Sequence, residues 1–184
     1  MIIAITGKIA SGKSLAAKFL SSISDIPCFD VDALSKVYMA ENSEYISDIC
    51  AQYGAVQPFE YETFIKDNIF NIKPFQNEIE GFCKNKLQEH LNRLEEKYGY
   101  VIIELFHIPL KFLPNIDVII HVDCSDDIRS KRMVARGYSV DKIRRMNEIH
   151  KEYTFQYNYL VDNSTESCYD MVTKLQSIWK TINS

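Results

Sequence analysis

The 184-residue sequence has no apolar run approaching the ~20 residues that a membrane-spanning helix requires, so no such helix and no membrane partner are expected. Ile2 to Ile5 is too short for the core of a secretory signal, and Lys8 interrupts it at once. Glycine and proline are sparse, at 6 and 5 residues, which excludes collagen-like and low-complexity chains. Cysteine is limited to Cys28, Cys50, Cys83, Cys124 and Cys168, an odd and scattered set with no metal-ligand spacing. They read as reduced and mostly buried, which favours the cytoplasm. An excess of positive charge is also missing: the net charge is −4, against the basic footprint of a nucleic-acid partner. There is no internal repeat, no linker and no apolar stripe that marks an interface, so the oligomeric state stays open.

What is present is a single α/β pattern. Met1-Ile-Ile-Ala-Ile-Thr6 is a continuous apolar run closed by Gly7, as in a strand buried on both faces. Leu15, Ala16, Phe19 and Leu20 then follow helical spacing to about Ser22. Ile26–Asp30, Tyr100–Glu104, Asp117–Val122 and Tyr159–Val161 read as four further strands. The stretch from Ala33 to Lys97 is helix-rich, with Ile79, Phe82, Cys83, Leu87, Leu91 and Leu94 on one stripe. A basic helical segment runs from Asp126 to Tyr153, broken at Arg136-Gly137-Tyr138, and a last helix carries Val172, Leu175, Ile178, Trp179 and Ile182. Strands alternating with helices imply a parallel sheet with right-handed crossovers.

The most specific signal is Gly7-Lys8-Ile9-Ala10-Ser11-Gly12-Lys13-Ser14, a full Walker A pattern between a buried strand and an amphipathic helix. Gly7 and Gly12 let the backbone turn its N–H groups inward on phosphate oxygens, and the helix N-terminus adds partial positive charge. Residues 7–14 together with Leu15 are the expected ATP-binding set. Lys13 is expected to reach the β- and γ-phosphates and Ser14 to ligate Mg²⁺. GTPase elements of the DxxG and NKxD kind are missing, whereas a short chain with a helical insert and a late arginine-rich segment suits a small-molecule kinase with a closing lid. The fold expected is therefore the P-loop NTPase fold, with strands in the order 2-3-1-4-5. It forms one domain over 1–184, with a helical acceptor subdomain at about 36–97 and a lid at about 126–150.

On the acceptor side, Asp30-Val31-Asp32 stands at the end of strand two, where open α/β sheets place their ligands. Asp32 is the expected general base and Asp30 an orienting group, although an aspartate there also caps a following helix well. Glu104 ends a strand beside the first and suits the Mg²⁺ shell. His107 reads as a loop histidine and His121 as a hydrogen-bonded core residue. Phe59, Tyr61, Phe64 and Phe70 read first as core and second as an acceptor wall. Arg129, Lys131, Arg132, Arg136, Lys142, Arg144 and Arg145 form a cationic run that suits a small polyanion or a solvated helix face.

With Ile9-Ala-Ser-Gly-Lys-Ser14, Asp30-Val-Asp32, the arginines Arg132 and Arg136, and Tyr159-Leu-Val-Asp-Asn163, the chain resembles the dephospho-coenzyme A kinases along almost its whole length. The resemblance implies transfer of the ATP γ-phosphate to the ribose 3′-hydroxyl of dephospho-coenzyme A. It makes Asp32 the base, with Arg132 and Arg136 moving in on the lid to offset developing charge. Tyr61-Glu62 and Lys84-Asn85 stand where that family carries an Asn/Asp-Arg and a His-Pro pair. A nucleoside or nucleotide kinase, or an ATP-binding module without kinase activity, thus remain the alternatives.

Overall fold

A computed structural model describes residues 1–56, 59–106, 116–151, 156–165 and 167–184, with the side chains of 149–151 excepted. The chain divides into two compact units, Met1–Asp30 with Arg93–Ser184, and Val31–Asn92.

The first unit is built on a parallel sheet of β1 (Ile2–Thr6), β2 (Cys28–Asp30), β3 (Val101–Glu104), β4 (Val118–Asp123) and β5 (Tyr159–Asp162). Their order is β2-β3-β1-β4-β5, as the sequence predicts. All five residues of β1 are buried, which explains its unbroken run of apolar side chains. In register, Ile5 lies beside Glu104 of β3 and Thr6 beside His121 of β4, so the C-terminal strand ends share one edge. Helices α1 (Lys13–Ser24) and α8 (Tyr169–Ile182) bury Ala16, Ala17, Leu20, Met171, Leu175 and Ile178 against Ile3, Ile5, Ile102, Ile120 and Val161. Strand β2 is shorter than the expected Ile26–Asp30. Pro27 has no N–H to give, although its carbonyl accepts from Ile102 N at 3.0 Å.

Two helices follow β4: α6 (Asp126–Ala135) and α7 (Val140–Lys151), separated by a turn in which Gly137 has φ +81°. Ser125 caps α6 by accepting from Ile128 N, and Asp126 and Asp127 occupy its first turn. Met133 of α6 and Ile143 of α7 are buried together with Ala10, and Ile9, Tyr138 and Met146 pack around them. This small apolar cluster joins the glycine-rich loop to both helices.

The second unit holds α2 (Val31–Glu41), α3 (Ser43–Gln52), α4 (Tyr61–Asn68) and all but the last residues of α5 (Lys73–Tyr98). Its core is Ile46, Ile49, Cys50, Phe75, Ile79 and Cys83, with Phe59, Tyr61 and Phe64 packed on it. Three of the four aromatics considered as core or acceptor wall thus pack, partly buried, on this core, whereas Phe70 is 82% exposed.

Candidate active site

The loop between β1 and α1 is positioned by two glycines that admit no side chain. A Cβ on Gly7 would lie 2.4 Å from the Val122 carbonyl oxygen and 2.6 Å from Ser11 Oγ. At Gly12, where φ is +104°, a Cβ would lie 2.2 Å from Asn163 Nδ2. Between them, Ser11 N donates to the Lys8 carbonyl at 3.1 Å, and Ala10 holds φ +63°. Gly12 is the N-cap of α1, and its carbonyl accepts from Leu15 N and Ala16 N, each at 3.0 Å. The first N–H groups of α1, which lack intrahelical partners by geometry, therefore open at the mouth of the loop.

Three functional side chains meet there. Ser14 Oγ donates to Glu104 Oε1 at 2.5 Å, and Lys13 Nζ stands 3.5 Å from the same oxygen. Lys13 and Glu104 are both largely buried, and Lys13 Nζ also lies 5.8 Å from the Phe106 ring centre. The register of the sheet explains this meeting: Glu104 ends β3 beside Ile5, one residue before the strand turns into the loop. A hydroxyl and a carboxylate one hydrogen bond apart make a hard-oxygen donor pair of the kind Mg²⁺ takes alongside phosphates. No cluster of three or more His, Cys, Asp or Glu side chains able to hold a metal occurs among the described residues, so an all-protein cage is not built here.

A cavity of about 380 Å³ lies on the loop, lined by Ile9, Ala10, Gly12, Lys13, Ser14 and Leu15, and by Arg132, Arg136, Asn163 and Cys168. Arg132 lies on α6 and Arg136, four residues on, is its C-cap, and both line this cavity. Their settings differ. Arg136 is exposed at the C-terminal end of α6. The Arg132 guanidinium instead donates to the carbonyls of Asn163 (3.0 Å), Thr165 (3.3 Å), Ser11 (3.3 Å) and, at 3.5 Å, Ala10. Its Nη1 is also 3.3 Å from Cys124 Sγ. Burial raises the Cys124 thiol pKa, and the positive charge of Arg132 opposes that rise.

Asp30 ends β2 in register with Glu104. Burial and the nearby carboxylates of Glu104 and Asp30 push the Cys28 thiol up to about 11, with Lys18 pulling the other way. Asp32 is not a strand residue: β2 stops at Asp30, α2 starts at Val31, and Asp32 is exposed in the first turn of that helix. Negative charge is favoured at that end of a helix. His121 is buried, shares a 3.0 Å hydrogen bond with Thr6 Oγ1 and stacks on Tyr157. His107 lies outside the described residues.

Two contributors were not singled out as site residues by the sequence. Asn163, 4% exposed, donates through Nδ2 to the Ser11 carbonyl at 2.7 Å. Its only sequence signal is the Asp-Asn pair that ends the last strand. Cys168, exposed at the N-terminus of α8, gives no signal at all.

Residues 3–153 match the family described as AAA domain. A dephospho-CoA kinase of Ehrlichia canis is 30% identical over 151 residues, which span 76% of this chain and 74% of that one. A dephospho-CoA kinase of Prochlorococcus marinus is 26% identical over 199 residues, covering 95% of this chain and 87% of the relative. Among solved structures, a Thermus thermophilus protein superposes over 100% of this chain and 98% of its own, with TM-score 0.78 and 21% identity. The dephospho-CoA kinase of Campylobacter jejuni does so over 98% and 96%, with TM-score 0.58 and 15% identity. With the family match spanning residues 3–153 and a relative 30% identical over three quarters of both chains, the chain belongs to the AAA domain family and to the dephospho-CoA kinase family.

Proposed function

We propose that this protein transfers the γ-phosphate of ATP to the ribose 3′-hydroxyl of dephospho-coenzyme A. The observation that carries the proposal is the convergence of Lys13, Ser14 and Glu104 at the glycine-rich loop, in a chain whose relatives bear that name along most of its length. In this reading, the backbone of residues 7–15 wraps the triphosphate, with Lys13 at its β- and γ-phosphates. Ser14 and Glu104 would hold Mg²⁺, which offsets phosphate charge when bound. Arg136, exposed beside the cavity, faces the charge that spreads over the phosphoryl group as it leaves ADP. Asp32, in the first turn of α2, takes the proton of the attacking hydroxyl. The α6–α7 pair supplies the cover that excludes water, without which ATP would be hydrolysed instead. All five cysteines are free, which suits the reducing cytoplasm in which we place the enzyme.

The test is ADP release with Mg²⁺ and ATP in the presence of dephospho-coenzyme A, run against a panel of nucleosides and nucleotides. Turnover above background with dephospho-coenzyme A alone is expected. A nucleoside that outpaces it overturns the acceptor. Asp32→Asn should lower kcat by roughly two to four decades while ATP affinity holds, and an intact kcat removes Asp32 from the base role.

A further inference from the structure

The Ser11 carbonyl is bonded from outside the loop by two separate donors, Asn163 Nδ2 at 2.7 Å and Arg132 Nη1 at 3.3 Å. In a trans peptide the C=O and the following N–H point in opposite directions. Drawing the Ser11 oxygen toward Arg132 and Asn163 therefore turns the Gly12 N–H the other way. The Ala10 carbonyl is treated alike: it faces Arg132 at 3.5 Å, while the Ser11 N–H on the far side of that peptide bonds Lys8 O at 3.1 Å. Arg132 also grips the carbonyls of Asn163 and Thr165, which fixes the segment that delivers the asparagine. Asn163 N in turn bonds the Asp123 carbonyl at 2.8 Å, so the clamp is anchored to the end of β4. Gly12 belongs to the same device, since any Cβ there would displace the Asn163 amide.

From this arrangement we infer that Arg132 and Asn163 are positioning residues that set the peptide planes of the phosphate loop. The charge of Arg132 acts through those carbonyls, and Arg136 is left as the lid cation that meets the phosphoryl group. The five donors of a guanidinium in fixed fork geometry suit Arg132 to holding several carbonyls at once, which a lysine ammonium on a flexible stem does poorly. The inference rests on the loop being a nucleotide site, but not on the identity of the acceptor.

The experiment is calorimetric titration of ADP and ATP, with Mg²⁺, into the full chain and its Arg132→Lys, Asn163→Ala and double variants. All are measured at a temperature where each is folded by its own thermal midpoint. Each single variant should bind ADP about tenfold more weakly, with ATP weakened in the same proportion. The double variant should lose far less than the product of the two, because both act on one carbonyl. ADP affinity within twofold of wild type in both single variants overturns the inference, and so does an Arg132→Lys effect confined to ATP or to kcat. A lowered thermal midpoint with unchanged ADP affinity is the mark of a merely structural role and also overturns it. Should Arg132→Lys fail to fold, Asn163→Ala, which keeps the arginine, decides alone. If wild type binds neither nucleotide, the nucleotide-site reading falls, and this inference falls with it.

Discussion

Replacing Gly12 by alanine tests the loop geometry through stability. The alanine would sit at φ +104°, in a region that costs a residue with a side chain about 1–3 kcal/mol. Its methyl would also lie 2.2 Å from Asn163 Nδ2, so the buried amide must withdraw and lose its bond to the Ser11 carbonyl. A buried polar group left unpaired costs about 1–3 kcal/mol more. The sum is about 2–6 kcal/mol, a large share of the 5–15 kcal/mol or so that holds typical domains folded. Gly137 supplies the comparison: it also has positive φ, at +81°, but nothing lies within 4 Å of a Cβ built there. Gly137→Ala should therefore carry only the backbone cost. Equilibrium urea unfolding, followed by fluorescence of Trp179 in α8, reports on the α/β unit that holds both positions. Equal losses for the two variants, to within about 0.5 kcal/mol, would refute the reasoning. So would a Gly12→Ala penalty unchanged by adding Asn163→Ala, which removes the group the methyl collides with.

Burial lowers the His121 pKa from its ordinary 6.5, outweighing the opposite pull of Asp123, with Lys8 adding to the fall. The unfolded chain therefore binds the proton first, so stability should decline as pH falls below about 6.5 and level off once folded His121 also protonates. Unfolding midpoints of wild type and His121→Gln across that range check this, and an equal slope in the variant sinks it. Cys168 is exposed, while Cys50, Cys83 and Cys124 are buried with raised thiol pKa values. A thiol reagent at mild alkaline pH should label Cys168 first, and ADP should slow it, because Cys168 lines the loop cavity. Mass spectrometry of the labelled peptides decides. Leu175→Ala should cost about 2–5 kcal/mol, since Leu175 is fully buried between α8 and the sheet. A loss under 1 kcal/mol in the same urea assay would count against that packing.

The sheet could be read from the sequence because strands buried on both faces declare themselves as unbroken apolar runs, as Ile2–Thr6 does. The loop could be read because phosphate chemistry fixes both its residue types and their spacing. Arg132 could be read as a basic group near the site, but its partners could not. They are backbone carbonyls, which every residue carries and no sequence pattern marks. Asn163 was visible in an Asp-Asn pair, yet its task depends on Gly12 lying against it across the fold. Arg129 shows the limit of charge patterning. It sits in a basic run that a solvated face would explain, but it is 1% exposed and bonds Asp126 at 2.7 Å and Asn147 at 2.5 Å. The pattern carries the charge, and only packing carries the burial.

Position 10 is one that the nucleotide motif leaves open to any residue, yet this fold closes it. Its left-handed backbone favours glycine, by about 1–2 kcal/mol over a residue with a side chain. A glycine would nonetheless remove the Ala10 methyl from the buried cluster it shares with Met133 and Ile143. A larger side chain would have to find room in that cluster or in the loop cavity that Ala10 also lines. The identity of one loop residue is thus tied to two on the covering helices, so an evolutionary change at any of the three is constrained by the others.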